Sequence, residues 1–137
     1  MYKRQVWIRC PEEAGTPAWW PLRTAVRDLG ADPDEVLVPA PGVDADAARF
    51  AVYERVQRLV AAAADGTAPL VLVVDDVQWA DRATLRCLVH LSGALRSAPV
   101  LVVVTLRDGS GTPPPGDGVA ELVAAVCLLY TSPSPRD

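Results

Sequence analysis

Five consecutive apolar residues, Leu70-Val71-Leu72-Val73-Val74, run straight into two adjacent carboxylates, Asp75 and Asp76. A valine-rich run of this length, bounded by Pro69, predicts a strand buried on both faces, as inside a parallel α/β sheet. Burying an unpaired carboxylate is costly. The two acids are therefore expected in a polar crevice at the carboxyl edge of the sheet. Hard oxygen donors at a strand end suit Mg²⁺, which keeps most of its waters and needs only one or two carboxylates beside substrate phosphates.

The same pattern recurs downstream. Pro99-Val100-Leu101-Val102-Val103-Val104-Thr105-Leu106 reads as a second buried strand, ending at Arg107-Asp108. Between the two, Asp81 is placed to cap a helix whose core stripe is Leu85, Leu88, Val89, Ser92 and Leu95. Two buried strands joined by one helix form a parallel unit whose carboxyl ends share an edge. Asp75, Asp76, Thr105 and Arg107 are expected to converge there.

Upstream, Val6–Arg9 reads as a short strand, ended by Pro11. Trp19, Leu22, Val26 and Leu29 then recur at helical spacing, with Pro21 suited to the first turn and Gly30 to the C-terminal cap. Trp19 and Trp20 are expected to anchor this helix in a core rather than line a ligand site. From Ala31 to Asp46 the chain is rich in Pro, Gly and Asp without period, predicting a surface loop. Val52, Val56, Leu59, Val60 and Ala63 predict a second helix, stopped near Asp65-Gly66. The run from Gly109 to Gly118 has several glycines, but its three prolines lack amide donors and no lysine follows. It reads as a flexible loop, after which Val119–Val126 begins a last helix.

A formal charge of −4 argues against a nucleic-acid surface. No apolar run reaches the length of a membrane span and no signal-peptide pattern is present, so neither a membrane nor export is expected and the cytoplasm is the default. Cys10, Cys87 and Cys127 lie too far apart for a zinc site and read as reduced thiols in or near a core. His90, the only histidine, falls off the helix stripe and reads as a solvated surface residue.

Lys3 is the only lysine, Ile8 the only isoleucine and asparagine is absent, which points to a G+C-rich gene. Met1-Tyr2-Lys3-Arg4-Gln5 stands out against that background. One coding of it is GTG TAT AAG AGA CAG, whose reverse complement, shifted by one base, reads Cys-Leu-Leu-Tyr-Thr. That is Cys127–Thr131 at the other end. Both ends resemble a transposon-derived sequencing adapter, with Ser132–Asp137 its continuation. Residues 1–5 and 127–137 are therefore expected to be adapter-derived, and 6–126 to be the partial domain.

Spacing alone leaves three readings open: nucleotide chemistry, acids that merely cap the next helix, or an arginine paired structurally with Asp108 or Asp75. A phosphoacceptor receiver module also opens with Leu-Val-Val-Asp-Asp. It needs a third aspartate after a later buried strand and a lysine beyond, and neither occurs.

The run Val-Val-Asp-Asp-Val-Gln-Trp-Ala-Asp, then a helix, then a strand ending Thr-Leu-Arg-Asp, closely resembles the ATPase domain of STAND-class AAA-like regulators. These are bacterial transcriptional activators of the LuxR and AfsR type. Arg9-Cys10-Pro11-Glu12-Glu13 and Gly15-Thr16-Pro17-Ala18-Trp19-Trp20-Pro21-Leu22 are similar to the stretch that follows their P-loop helix. The resemblance implies that Asp75, in a Walker B position, holds Mg²⁺ and that Asp76 polarises the attacking water. It implies too that Arg107 is the sensor at the γ-phosphate, Asp75, Thr105 and Arg107 being the contacts to ATP and Mg²⁺. Gln78, Trp79 and Asp81 are expected to cap and pack the following helix.

No Gly-x-x-x-x-Gly-Lys-Ser/Thr occurs in the chain. The expectation is a partial P-loop NTPase fold of α/β class: a three-stranded parallel half-sheet of Val6–Arg9, Leu70–Val74 and Val100–Leu106 flanked by helices, with an exposed, aggregation-prone edge. On this reading the fragment is inactive alone and works in its parent with nucleotide and the parent's other domains. The alternative is a non-catalytic α/β interaction module.

Overall fold

The computed structural model describes residues 4–12, 15–64, 68–107 and 117–130. Three strands form one parallel sheet in the order β1 (Arg4–Arg9), β2 (Leu70–Asp75), β3 (Val100–Val104). Arg4 pairs with Leu70 and Arg9 with Asp75; Leu70 pairs with Val100 and Val74 with Val104. The uninterrupted apolar run thus occupies the middle of the sheet, where both neighbours satisfy its backbone and its side chains meet apolar layers. The half-sheet is the one its sequence predicts, although β3 ends at Val104 and not at Leu106, because Thr105 turns its hydroxyl to the acids. β1 starts two residues earlier than Val6, at Arg4, whose N–H donates to Pro69 O.

Strand alternation divides the sheet into unlike faces. Val6, Ile8, Leu70, Leu72 and Val74 are buried in the main core, and Val100, Val102 and Val104 pack against it. The helices that close this core are α1 (Trp20–Asp28), α3 (Ala45–Ala63), α4 (Arg82–Ala94) and α5 (Asp117–Tyr130). Leu22 and Val26, Val52 and Val56, Leu88 and Leu91, and Leu122 are their buried contributions. The spacing of Trp19, Leu22 and Val26 made α1 legible, and Pro21 and Gly30 sit as expected, Gly30 with a φ of 86°. Of the two tryptophans only Trp19 is a core anchor; Trp20 is 48% exposed.

The expected surface loop from Ala31 to Asp46 is not wholly irregular. It contains a short helix α2 (Pro33–Val36), because Asp32 caps it by accepting from the Asp34 N–H and Pro33 fits its first turn. Asp44 in turn caps α3, accepting from the N–H groups of Asp46 and Ala47, so that helix begins at Ala45. Both starts came from local caps in a stretch with no hydrophobic period. Helix α5 begins at Asp117 and runs through Tyr130, past the expected boundary at Val126. The expected stop of α3 at Asp65-Gly66 and most of the Gly109–Gly118 loop lie outside the described residues.

The opposite face carries Trp7, Val71, Val73, Leu101 and Val103. Leu101 and Val103 are 44% and 38% exposed. Among the described residues β3 is also an edge strand. Thr105 N–H donates to Val74 O and Leu70 N–H to Pro99 O, so by the parallel alternation the N–H and C=O groups of Val102 and Val104 point away from β2. From Pro99 to Leu106 no charged residue guards that edge. Replacing Leu101 and Val103 together by lysine is expected to shift the chain from concentration-dependent association toward a monomer in sedimentation. An unchanged distribution would show the edge is not where copies meet.

Candidate functional site

The carboxyl ends of β2 and β3 are laced together by the residues that follow the apolar runs. Thr105 Oγ1 donates to Asp75 Oδ1 at 2.6 Å and accepts the Asp76 N–H at 2.9 Å. One hydroxyl so bridges the side chain of the first acid and the backbone of the second. Asp76 sits in the left-handed region, with φ 56° and ψ 52°, which aspartate tolerates better than most residues. This reverses the chain into a 3₁₀ turn, Val77–Trp79, whose first N–H returns to Thr105 O at 3.0 Å. Arg107 Nε lies 3.4 Å from Asp76 Oδ1. The structure therefore brings Asp75, Asp76, Thr105 and Arg107 into one cluster at the sheet edge. Asp76 is 28% exposed and Arg107 71%, so this ion pair is open to solvent and contributes little stability.

Gln78 does something other than pack the next helix. Its Oε1 accepts the Arg107 N–H at 3.3 Å, tying the acid turn to the arginine. Asp81 is the helix cap its position predicts: Oδ2 accepts the Thr84 N–H at 3.1 Å and Oδ1 accepts the Thr84 hydroxyl at 2.6 Å. Oδ2 also accepts the N–H of Trp19 at 3.1 Å, a bond across the fold that sequence spacing could not reveal. Trp19 is itself held at a φ of 70°.

Cys10 closes the cluster from the β1 side, its N–H donating to Asp75 O at 3.1 Å. Burial, reinforced by Asp81, Asp75 and Asp76, pushes its thiol up to about 12. Burial, with a further contribution from Asp81, does the same to Cys87. Cys127 differs from the expectation of a core thiol: it is exposed. At about pH 8 a thiol reagent is expected to modify Cys127 alone in the folded chain, and all three cysteines in denaturant. Folding favours the neutral Cys10 and Cys87 thiols. Their contribution is full below the unfolded value of 9.0 and is lost as pH rises toward about 12. The urea midpoint should fall across that window; a flat midpoint would contradict it.

His90 is half-buried rather than solvated, with Nε2 3.0 Å from Gln57 Oε1 and its ring 5.3 Å from Phe50 and 5.6 Å from Tyr53. Among the described residues no helix is long and apolar enough to cross a membrane.

In open parallel α/β sheets the carboxyl edge of the strands, where the paired acids and the arginine lie here, is where ligands bind. A family model described as AAA ATPase domain matches residues 3–103, and the chain belongs to that family. No significant match was found among curated proteins or among solved structures.

The donor set at the edge suits magnesium. Asp75, Asp76 and Thr105 offer hard oxygens, and among the described residues Asp75 Oδ2 meets no hydrogen-bond donor.

Proposed function

We propose that this chain carries the metal-binding and phosphate-sensing edge of an ATP-dependent regulatory switch, of the STAND class found in LuxR- and AfsR-type transcriptional regulators. The observation that carries the reading is the bridge through Thr105, which fixes Asp75 and Asp76 in one turn with Arg107 3.4 Å from the second acid. Phosphoryl transfer is catalysed by positioning and charge neutralisation, so these are the parts it requires.

Asp75 would hold Mg²⁺ through the oxygen that Thr105 leaves unused. Bound there, the ion supplies charge neutralisation at the phosphates. Asp76 would orient and polarise the attacking water. Arg107 pairs with Asp76 in the structure, and its exposed guanidinium is able to turn to a γ-phosphate and report its loss. Gln78 holds the backbone at that arginine. The cradle for the phosphates, Gly-x-x-x-x-Gly-Lys-Ser/Thr, would come from a preceding segment whose strand pairs along β3, where the backbone of Val102 and Val104 is open.

The test is to join such a strand, loop and helix in frame ahead of β1 and titrate Mg²⁺-ATP. Micromolar binding by the extended chain, and none by the chain as it stands, is the expected result. The exposed Leu101 and Val103 favour the second reading, an α/β interaction module whose acids act only as caps. Failure of the extended, folded chain to bind nucleotide would select it.

A further inference from the structure

Two arginines stand at the carboxyl edge of the sheet, and only one of them meets an acid. Arg107 Nε lies 3.4 Å from Asp76 Oδ1. Arg9, opposite Asp75 in the register of β1 and β2, instead stacks 5.0 Å from the centroid of the Trp7 ring and makes no ion pair among the described residues. The pair joins the cation proposed for the γ-phosphate to the acid proposed for the attacking water. Neither group can serve its own partner while the pair holds.

Gln78 fixes this pairing from the backbone. Its Oε1 accepts the Arg107 N–H at 3.3 Å, while its Nε2 is buried with no hydrogen-bond partner among the described residues. A buried amide donor left unpaired is uncommon and unfavourable. Two residues earlier, Asp76 holds a left-handed φ of 56°. An unfavourable backbone and an unfavourable donor in one short turn persist only where the surroundings impose them. Here the surroundings are the segment after β3: Thr105 Oγ1 accepts the Asp76 N–H, Thr105 O accepts the Val77 N–H, and Arg107 takes both Gln78 and the Asp76 carboxylate.

The Asp76–Arg107 pair is too open to stabilise the fold, and what it alters is charge. One carboxylate holds a free divalent ion weakly, since Mg²⁺ gives up water reluctantly and its protein sites lean on substrate phosphates. A second carboxylate next to Asp75 would strengthen the seat, but Arg107 cancels its charge. Phosphates reverse the balance, because they bring their own negative charge to the metal and offer the guanidinium a stronger partner. We propose, resting on the assignment of Asp75 as the metal seat, that Arg107, positioned by Gln78, sets this edge to prefer a divalent ion that arrives with phosphates over the free ion. Gln78 is a positioning residue in this scheme and acts through Arg107. Once phosphates are bound they supply the charge that Asp76 would lend, and affinity for the metal–nucleotide complex does not depend on the second acid.

The test needs no nucleotide. Mn²⁺ alone is titrated into the full chain and its binding followed by water-proton relaxation. The unsubstituted chain is expected to bind with a Kd on the order of a millimolar, and Arg107→Gln about fivefold more tightly at low salt. Gln78→Met keeps every charge and removes the unpaired donor, and should bind about twofold more tightly by loosening Arg107. In an Asp76→Asn background the gain from Arg107→Gln should fall below about twofold, because the paired acid transmits it. The same gain in both backgrounds would reduce Arg107 to a background charge and overturn the proposal, as would unchanged affinity in Arg107→Gln or in Gln78→Met. Asp75→Asn is the control for the metal seat and should abolish binding. Binding that needs Asp75 but ignores Arg107 and Gln78 would overturn the preference alone. Binding that survives Asp75→Asn, or none in any chain, would overturn the seat with it. Arg107 is 71% exposed, so its replacement leaves the core untouched.

Discussion

Joined in frame to a strand, Gly-x-x-x-x-Gly-Lys-Ser/Thr loop and helix, the Asp76→Ala chain is expected to bind Mg²⁺-ATP as well as the unsubstituted one and to hydrolyse it at least about a hundredfold more slowly. The separation of effects follows from the geometry. Asp75 carries the hydrogen bond from Thr105 and retains its second oxygen for the metal, whereas Asp76 spends its backbone N–H on Thr105 and its carboxylate on Arg107. Removing the Asp76 carboxylate frees Arg107 and leaves the Asp75 anchor in place. Alanine at a φ of 56° is strained by about 1 kcal/mol. Asp76→Asn tolerates that backbone conformation, keeps the shape and removes the charge, and should lose turnover to the same degree. Single-turnover hydrolysis beside equilibrium ATP binding reads both quantities. Equal turnover in mutant and wild type would end the role proposed for Asp76.

The second large effect is structural. Asp81→Ala is expected to destabilise the chain by roughly 3 kcal/mol, about 1 from the lost helix cap and the rest from the stranded Trp19 N–H and buried Thr84 hydroxyl. Asp81 accepts from Trp19, from the Thr84 N–H and from the Thr84 hydroxyl, so one carboxylate clamps the start of α1 to the start of α4. Thr84 has no exposed surface, and water cannot replace the lost acceptor there. In thermal unfolding the midpoint should fall by about 10 °C for a domain of this size. Asp81→Asn keeps one carbonyl oxygen and is expected to lose less. A midpoint unchanged in Asp81→Ala would mean the clamp adds nothing beyond its geometry.

Much of this architecture was legible because it rests on period and punctuation. The β2 run, the repeat of its pattern in β3 and the stripe of α1 each follow from apolar spacing, and parallel topology alone placed Asp75, Asp76, Thr105 and Arg107 at a common edge. Caps were harder to read. Asp32 and Asp44 start helices inside a stretch whose composition predicts a loop, since one or two side-chain hydrogen bonds to free amides leave no periodic trace.

By itself, then, the sequence determined the class of fold, the acid pair and the family resemblance, all of which depend on the order of residues along one element or on the rule that joins successive strands. Tertiary structure alone decided which hydroxyl bridges the acids and that Gln78 reaches the backbone of Arg107. It also decided that Asp81 holds Trp19 and that the Tyr53 hydroxyl is buried with no hydrogen-bond partner among the described residues. Each of these pairs residues far apart in the chain, through side chains whose direction is set by the packing of several helices on one sheet face. No local pattern encodes such a meeting, because the distance between the groups is a property of the assembled core.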